Sequence, residues 1–261
     1  MNIKSILLGF AISASLGSAA QAANLVVNGS FNNVTIANAG SQDRFGSDGY
    51  VNLADDSGYL DGWIVKNHAD ITAQAWYYPT GAADTNPAGG DWYDGWAIHG
   101  PANGSDNGFG LSPDGGALVS IDGGGDYRAS LDQTLTGLTS GKTYEVKFYW
   151  AGAQQSCCGG TTTEQVQVGF GNSTQSTAVW NNPENGFSGW FSERFRFVAD
   201  NSSQTLSFLA IGTPYGQPPV VLLDGVSVAG VPEPSSWVML IAGFGLVGAT
   251  ARRRRLSAVA A

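Results

Sequence analysis

The stretch Thr143-Tyr-Glu-Val-Lys-Phe-Tyr-Trp-Ala151 alternates between two sets of side chains along its whole length. One set is Tyr144, Val146, Phe148 and Trp150, and the other is Glu145, Lys147 and Tyr149. A period of two is typical of a β-strand that buries one face. Similar alternation recurs around Val166, Phe195 and Leu206, whereas residues 23–230 contain no convincing period of 3.6. The chain therefore predicts an all-β domain.

Turn signals separate the predicted strands. Gly137-Leu-Thr-Ser-Gly141 lies between two strand patterns, and Asp224-Gly225 interrupts the apolar run from Val220 to Val228. Residues 23–230 hold 20 acidic residues, of which 16 are Asp, a residue that favours turns over helix interiors. The same region has seven Lys and Arg, so its net charge is near −13. This composition predicts a β-sandwich and argues against nucleic acid as a partner.

The first 22 residues have the pattern of a secretory signal peptide. Lys4 supplies the positive charge, Ile6 to Leu16 form an apolar helix, and Ala20-Gln21-Ala22 is a small-residue cleavage site. The alternative, a first transmembrane helix, fits less well because the apolar run is short. We expect cleavage after Ala22 and a domain over residues 23–230.

Residues 231–261 form a separate tail. Pro232-Glu233-Pro234 keeps the backbone extended, an apolar helix is predicted over about 235–251, and four arginines follow at 252–255. Positive charges after an apolar helix stay on the cytoplasmic side of a membrane. The order Pro-Glu-Pro-Ser-Ser-Trp237, helix, Arg252, Arg253, Arg254 and Arg255 resembles the PEP-CTERM sorting signal of Gram-negative bacteria, in the variant with Trp after the Pro-Glu-Pro.

That resemblance implies a route for the protein. It implies export across the inner membrane, a transient anchor through the C-terminal membrane helix, and removal of the tail by an exosortase. The protein then passes to the cell surface or the exopolysaccharide matrix.

Residues 24–228 resemble a second family. Fragments in a familiar order are Asn24 to Phe31, Gly62 to Val65, Gln133 to Leu138, Tyr144 to Phe148, and Leu222 to Val226. Together they are similar to the galactose-binding-like jelly roll found in many carbohydrate-binding modules. The resemblance implies that Trp63 packs between the sheets. The chain departs from the pattern at Asn32, where relatives commonly carry Glu, and in a long insertion from Tyr77 to Gly116.

Aromatic residues crowd into and beside this insertion. They are Trp76, Tyr77, Tyr78, Trp92, Tyr93 and Trp96. Aromatic faces stack on sugar rings while Asp and Asn bind hydroxyl groups, so we take Trp76, Tyr78, Trp92, Tyr93 and Trp96 as candidate glycan-binding residues. The alternative is that the rings form a satellite core that holds the long loop in place.

Two further features suggest ligands or cross-links. Jelly rolls of this kind often hold a structural Ca²⁺ between the first and last strands, and the resemblance makes Asp224 a ligand there. Cys157 and Cys158 are the only cysteines, and export places them in an oxidising compartment. A vicinal disulfide, an interchain bridge and free thiols all remain open, and the first is favoured.

No motif in the sequence frames a catalytic site. The two histidines, His68 and His99, lie in neither H-E-x-x-H nor any other recognised motif, and G-x-S-x-G is absent. We therefore expect a secreted surface protein that associates with glycan without catalysis. The alternatives are a structural matrix protein without a small ligand and a polysaccharide hydrolase or lyase.

Overall fold

The computed structural model describes residues 23–34, 44–45, 50–53, 59–78, 98–99, 112–155, 158–214, 217–232 and 240–248. For residues 44–45 and 50–52 it describes the backbone only. The signal peptide, Glu233, Pro234, Trp237 and the arginines 252–255 lie outside these residues.

Two antiparallel sheets make up the described part of the domain. In what we name the front sheet the strand order is β1 (Arg44–Phe45), β2 (Tyr50–Asn52), β4 (Ala75–Tyr78), β6 (Leu118–Asp122), β14 (Pro219–Gly230), β8 (Thr143–Gln155) and β12 (Phe191–Val198), with β5 (Ile98–His99) paired to β8. In the back sheet it is β10 (Ser173–Ser176), β9 (Thr162–Phe170), β13 (Ser203–Thr213), β7 (Ala129–Thr136) and β3 (Ile64–Asn67), with β11 (Trp180–Asn182) paired to β9. The predicted all-β jelly-roll sandwich is confirmed.

The main core fills the space between the sheets, as the alternation predicts. The apolar side of β8 packs there through Tyr144, Val146, Phe148 and Trp150. Trp63 is 2 % exposed, lies between the rings of Phe31 and Phe208 at centroid distances of 5.5 and 6.2 Å, and donates to the Asn28 carbonyl at 3.1 Å. The prediction that Trp63 belongs to the core is confirmed.

The N-terminal segment connects both sheets. Asn24 Oδ1 accepts from the Val228 amide at 2.9 Å, and the Leu25 amide donates to the Val228 carbonyl at 2.9 Å. On the other side, the Gln133 side chain bonds both the amide and the carbonyl of Val27 at 2.8 Å. The beginning of the domain is thereby fixed beside its last strand.

A bulge interrupts the last strand where the sequence predicts a break. The pairing of β14 with β8 shifts register between Asp224 and Ser227, and Gly225 has a φ of 60°. Glycine adopts this left-handed conformation without the steric cost that a Cβ would add. The bulge changes which side chains reach the outer face of the front sheet.

Candidate functional site

The outer face of the front sheet, the side away from the main core, is divided into two halves. One half is covered by a second hydrophobic cluster. Its buried members are Trp76, Tyr78, Ile98, Leu118, Ala151, Ala153, Phe187, Val220 and Leu222. The other half is open, and it forms a groove of about 490 Å³.

The open groove lies across β14, β8 and the edge strand β12. Its floor and rims include Lys147 and Tyr149 of β8, Ser192 and Arg194 of β12, and Gly225 and Ser227 of β14. Asn24, Ser30 and Asp114 contribute from neighbouring segments. An aromatic ring surrounded by hydroxyl, amide and charged groups is the mixture that binds sugars in concave sites.

Tyr149 occupies a fixed position in this groove. It points outward because it alternates with the core residues Phe148 and Trp150. Its ring lies over the bulge, since a Cβ built on Gly225 would come within 2.6 Å of Tyr149 Cδ2. Tyr149 is half-buried, so the residue keeps some surface exposed to solvent.

Three basic residues converge on the carboxylate of Glu145, which lies four residues before Tyr149 on β8. Glu145 forms ion pairs with Lys147 Nζ at 3.2 Å, with Arg194 Nη1 at 3.5 Å and with Arg196 Nε at 3.3 Å. Desolvation favours the neutral acid, but the hydrogen bonds of Lys147 and Arg196 and the charge of Arg194 outweigh it and hold the pKa of Glu145 below its usual value. Glu145 is therefore ionised at neutral pH.

The aromatic residues predicted to bind glycan are only partly described. Trp76 and Tyr78 lie on β4, not in a loop, and are 4 % and 1 % exposed within the second cluster. Both side chains are buried within that cluster, as the satellite-core alternative expects, and a role of Trp76 and Tyr78 in glycan binding stays a prediction. Trp92, Tyr93 and Trp96 lie outside the described residues, and their role stays a prediction.

Asp224 is fully buried beside the groove. Its Oδ1 accepts from the Gly225 amide at 2.7 Å, while Oδ2 has no hydrogen-bond donor within reach in the described part of the chain. Burial raises the pKa of Asp224 to about 7. Hydrogen bonds from Ser112 and from the Gly225 amide oppose this rise, whereas the charge of Asp114 adds to it. The carboxylates of Asp224 and Asp114 and the hydroxyl of Ser112 are hard oxygen ligands of the type that calcium prefers. Among the described residues, however, no three acidic, His or Cys side chains group together.

Asn32, where the sequence departs from the jelly-roll pattern, has a structural contact of its own. Its Oδ1 accepts from the Ala117 amide at 3.1 Å. The side chain therefore holds the N-terminal segment against the residues that precede β6.

A second buried carboxylate was not anticipated from the sequence. Glu164 of β9 is 0 % exposed at one end of the sandwich, where Oε1 accepts from the Thr162 hydroxyl. Burial raises the pKa of Glu164 to about 8, although Thr162 and Asn182 lower it. The alternation of β9 could have revealed it, because Glu164 falls on the same inward-facing side of the strand as Val166 and Val168.

Cys158 takes part in a disulfide bond. Cys157 lies outside the described residues, so its pairing with Cys158 stays a prediction.

The tail continues directly from the last strand. A helix occupies residues 240–248 inside the predicted apolar segment, and its large side chains, such as Ile241 and Leu246, are each 69 % exposed. Residues 230–255 match the family model described as the PEP-CTERM protein-sorting motif. The chain carries a PEP-CTERM tail. The PEP-CTERM motif implies secretion and surface sorting in Gram-negative bacteria. None of the helices that the structure describes is long and apolar enough to cross a membrane.

Comparisons with whole proteins give distant similarities. Halomucin from Haloquadratum walsbyi is 29 % identical over 218 residues, which cover 82 % of this chain and 2 % of that protein. The CBM22-1 xylan-binding domain of Xyn10C from Paenibacillus barcinonensis has a TM-score of 0.41 at 12 % identity, covering 83 % of this chain and 99 % of the domain. TmCBM61 in complex with β-1,4-galactotriose has a TM-score of 0.37 at 14 % identity, and the match covers 69 % of this chain and 95 % of that one. At these values the likenesses carry no argument about ligand.

Proposed function

We propose that the PEP-CTERM protein associates with a surface or matrix polysaccharide through the open groove, without catalysing its cleavage. The observation that supports this is the position of Tyr149, a half-buried residue whose ring lies in the groove floor between Lys147, Ser192 and Ser227. Such a ring can pack against the apolar face of a sugar while its neighbours bind the hydroxyls.

The sorting tail supports the proposed location. We propose that the helix containing residues 240–248 anchors the chain in the inner membrane until an exosortase removes the tail. Association with a polysaccharide would then occur at the cell surface or in the extracellular matrix.

A glycan array probed with the full-length protein in mild detergent tests the proposed function. Tyr149→Ala is expected to weaken binding about 2- to 10-fold with little change in Tm, because one stacking ring contributes about 0.5–1.5 kcal/mol. The matched control is Tyr127→Ala, which removes an aromatic ring from the loop that joins β6 to β7. Absence of glycan binding by the wild-type protein would instead favour a structural matrix protein, and release of sugar fragments would favour a hydrolase or lyase.

The insertion offers a second stacking surface in this proposal. Trp92 lies between Gly89-Gly90-Asp91 and Asp94-Gly95, a context typical of an exposed turn. If Trp92 stacks on sugar, Trp92→Ala lowers affinity and leaves Tm nearly unchanged. If its ring belongs to the satellite core, the same change costs about 3–5 kcal/mol of stability.

Calcium at Asp224 is a separate proposal about stability. Its support is the buried Oδ2, which has no hydrogen-bond partner in the described part of the chain, and the proximity of Ser112 and Asp114, which both act on the Asp224 carboxyl group. A cation there would stabilise the bulge of β14 by neutralising two close carboxylates.

A further inference from the structure

The basic residues of the domain are unevenly distributed. Residues 23–230 contain seven Lys and Arg against 20 acidic residues. Three of the seven, Lys147, Arg194 and Arg196, surround Glu145 on the outer face of the front sheet. We name these three residues the basic cluster. A strongly acidic domain therefore carries a local concentration of positive charge.

Cross-strand register builds the basic cluster. Arg194 of β12 is paired with Lys147 of β8, and Arg196 is paired with Glu145. Lys147 and Arg194 also line the groove, which places their charges within reach of a ligand over Tyr149. The basic cluster therefore overlaps the groove at Lys147 and Arg194, and Arg196 lies beyond the groove lining.

One carboxylate cannot neutralise three cations. Glu145 takes a single contact from each member of the basic cluster, and no other ion pair of these three residues is found in the described part of the chain. The side chains of Lys147, Arg194 and Arg196 are 45 %, 60 % and 63 % exposed. A net charge of two remains, Asp114 at the groove rim offsets one unit of it, and the partly ionised Asp224 beside the groove offsets part of the second.

The acidic remainder of the surface does not cancel this local field. At physiological ionic strength charges are screened over about 8 Å. A ligand in the groove therefore responds mainly to the basic cluster and much less to distant carboxylates. The planar guanidinium groups of Arg194 and Arg196 present paired N–H donors, which match the geometry of a carboxylate.

We propose that the groove selects polysaccharides that carry carboxylate groups, with Arg194 binding a carboxylate while Tyr149 packs against a sugar ring, and with Arg196 binding a carboxylate farther along the polymer. This inference rests on the proposed glycan association and names the class of glycan. Arg194 lines the groove together with Tyr149, whereas Arg196 lies beyond the groove lining, two residues farther along β12.

A matched pair of polymers tests the proposal. Full-length protein in mild detergent is titrated with polygalacturonate and with its fully methyl-esterified form, which has the same backbone without the charge. Polygalacturonate is expected to bind roughly tenfold more tightly at low salt, and the difference is expected to shrink as salt rises. Arg194→Gln/Arg196→Gln is expected to remove that preference.

The control variant is Lys66→Gln. Lys66 contacts Asp132 at 3.0 Å on the back sheet, so the variant removes one positive charge away from the groove. Thermal unfolding of both variants is measured first, and a folded arginine variant is expected to keep binding neutral glycans. The inference is overturned if the arginine variant still prefers polygalacturonate to its methyl-esterified form. It is also overturned if Lys66→Gln loses that preference to the same extent.

The outcomes also separate the inference from the proposed function. Equal binding of both polymers, or binding of neutral array glycans alone, overturns carboxylate selection and leaves glycan association in place. Absence of binding to any glycan overturns both. Equally tight binding of poly-glutamate would show a general anion site and would also overturn selection for a carboxylated sugar.

Discussion

The ring of Tyr149 rests against the backbone of Gly225, so closely that a Cβ at residue 225 would lie 2.6 Å from Tyr149 Cδ2. Gly225 has a φ of 60° in the bulge of β14, and Tyr149 is on the adjacent strand β8. The bulge therefore supports the ring that forms the floor of the groove. A glycine is required there for two reasons, its backbone conformation and the absence of a side chain.

Gly225→Ala is expected to lower stability by about 1–2 kcal/mol, because alanine is strained at positive φ. It is also expected to displace the Tyr149 ring and weaken glycan binding. Thermal unfolding and a glycan titration measure the two effects. Gly137→Ala is the matched control, since Gly137 has a φ of 77° and no atom within 4 Å of its would-be Cβ. A binding defect of equal size in both variants would contradict the role of Gly225 in placing Tyr149.

Glu164 predicts a specific dependence of stability on pH. Burial raises its pKa from 4.5 to about 8, so the folded protein holds a proton that the unfolded chain releases. The contribution of Glu164 to stability is therefore fully present below about pH 4.5 and decreases as the pH rises to about 8. Glu164→Gln is expected to raise the Tm at pH 8 relative to wild type and to reduce its change between pH 5 and pH 8. Glu184→Gln, at an exposed position, is the control, and parallel curves for wild type and Glu164→Gln would contradict the assignment.

Pairing of Cys157 with Cys158 would leave the protein monomeric on non-reducing electrophoresis and without a titratable thiol. The measurement is electrophoresis with and without reductant, followed by thiol titration of the unfolded chain. A dimer that reduction dissociates would mean that Cys158 is bridged to a second copy. Two reactive thiols would exclude either bridge.

Removal of the tail would leave a surface form without Arg252 to Arg255. Glu233→Ala is expected to retain full-length protein in the inner-membrane fraction, because the change alters the Pro-Glu-Pro motif. Intact mass spectrometry of both fractions measures this, with Glu184→Ala as the control for loss of an acidic residue. A wild-type surface form that still ends at Ala261 would contradict processing.

Calcium at Asp224 would make stability depend on the metal. Adding EDTA is expected to lower the Tm of the wild-type protein, since an ion at 100 times its dissociation constant stabilises by about 2.7 kcal/mol. Asp224→Asn is expected to abolish the difference between melts with calcium and with EDTA. Identical wild-type melts in both buffers would exclude a structural calcium ion.

Much of the sandwich could be predicted from local pattern. The strands β9 and β13 and the first half of β8 bury one set of alternating side chains, β14 buries both sets in its first half as its nearly continuous apolar run predicts, and the break at Asp224-Gly225 marks the bulge. The strand β4 was missed, because Trp76 to Tyr78 lead into a Gly-, Pro- and Asp-rich stretch that resembles a loop. A second cluster covers the outer face of this strand, and only tertiary packing reveals it.

The groove could not be predicted in the same way. Alternation in the sequence puts Glu145 and Lys147 on one face of a strand, and Arg194 and Arg196 on one face of another. Their meeting depends on the register of β8 with β12, in which the paired residues are 41 to 55 positions apart along the chain. No hairpin turn joins these two strands, so turn geometry does not fix their register and the local pattern of one strand does not specify it.

The bulged strand β14 also links the groove to the tail mechanically. Gly225 and Ser227 line the groove, β14 ends at Gly230, and the sorting motif begins at that residue. A polymer held in the groove and a tail held in a membrane would therefore pull on the same strand, a few residues apart. The tension would pass along the end of β14, which is paired with β8 from Ser227 to Gly230, without crossing the core between the sheets. While the tail is attached, the protein would transmit load between polymer and membrane through one central strand.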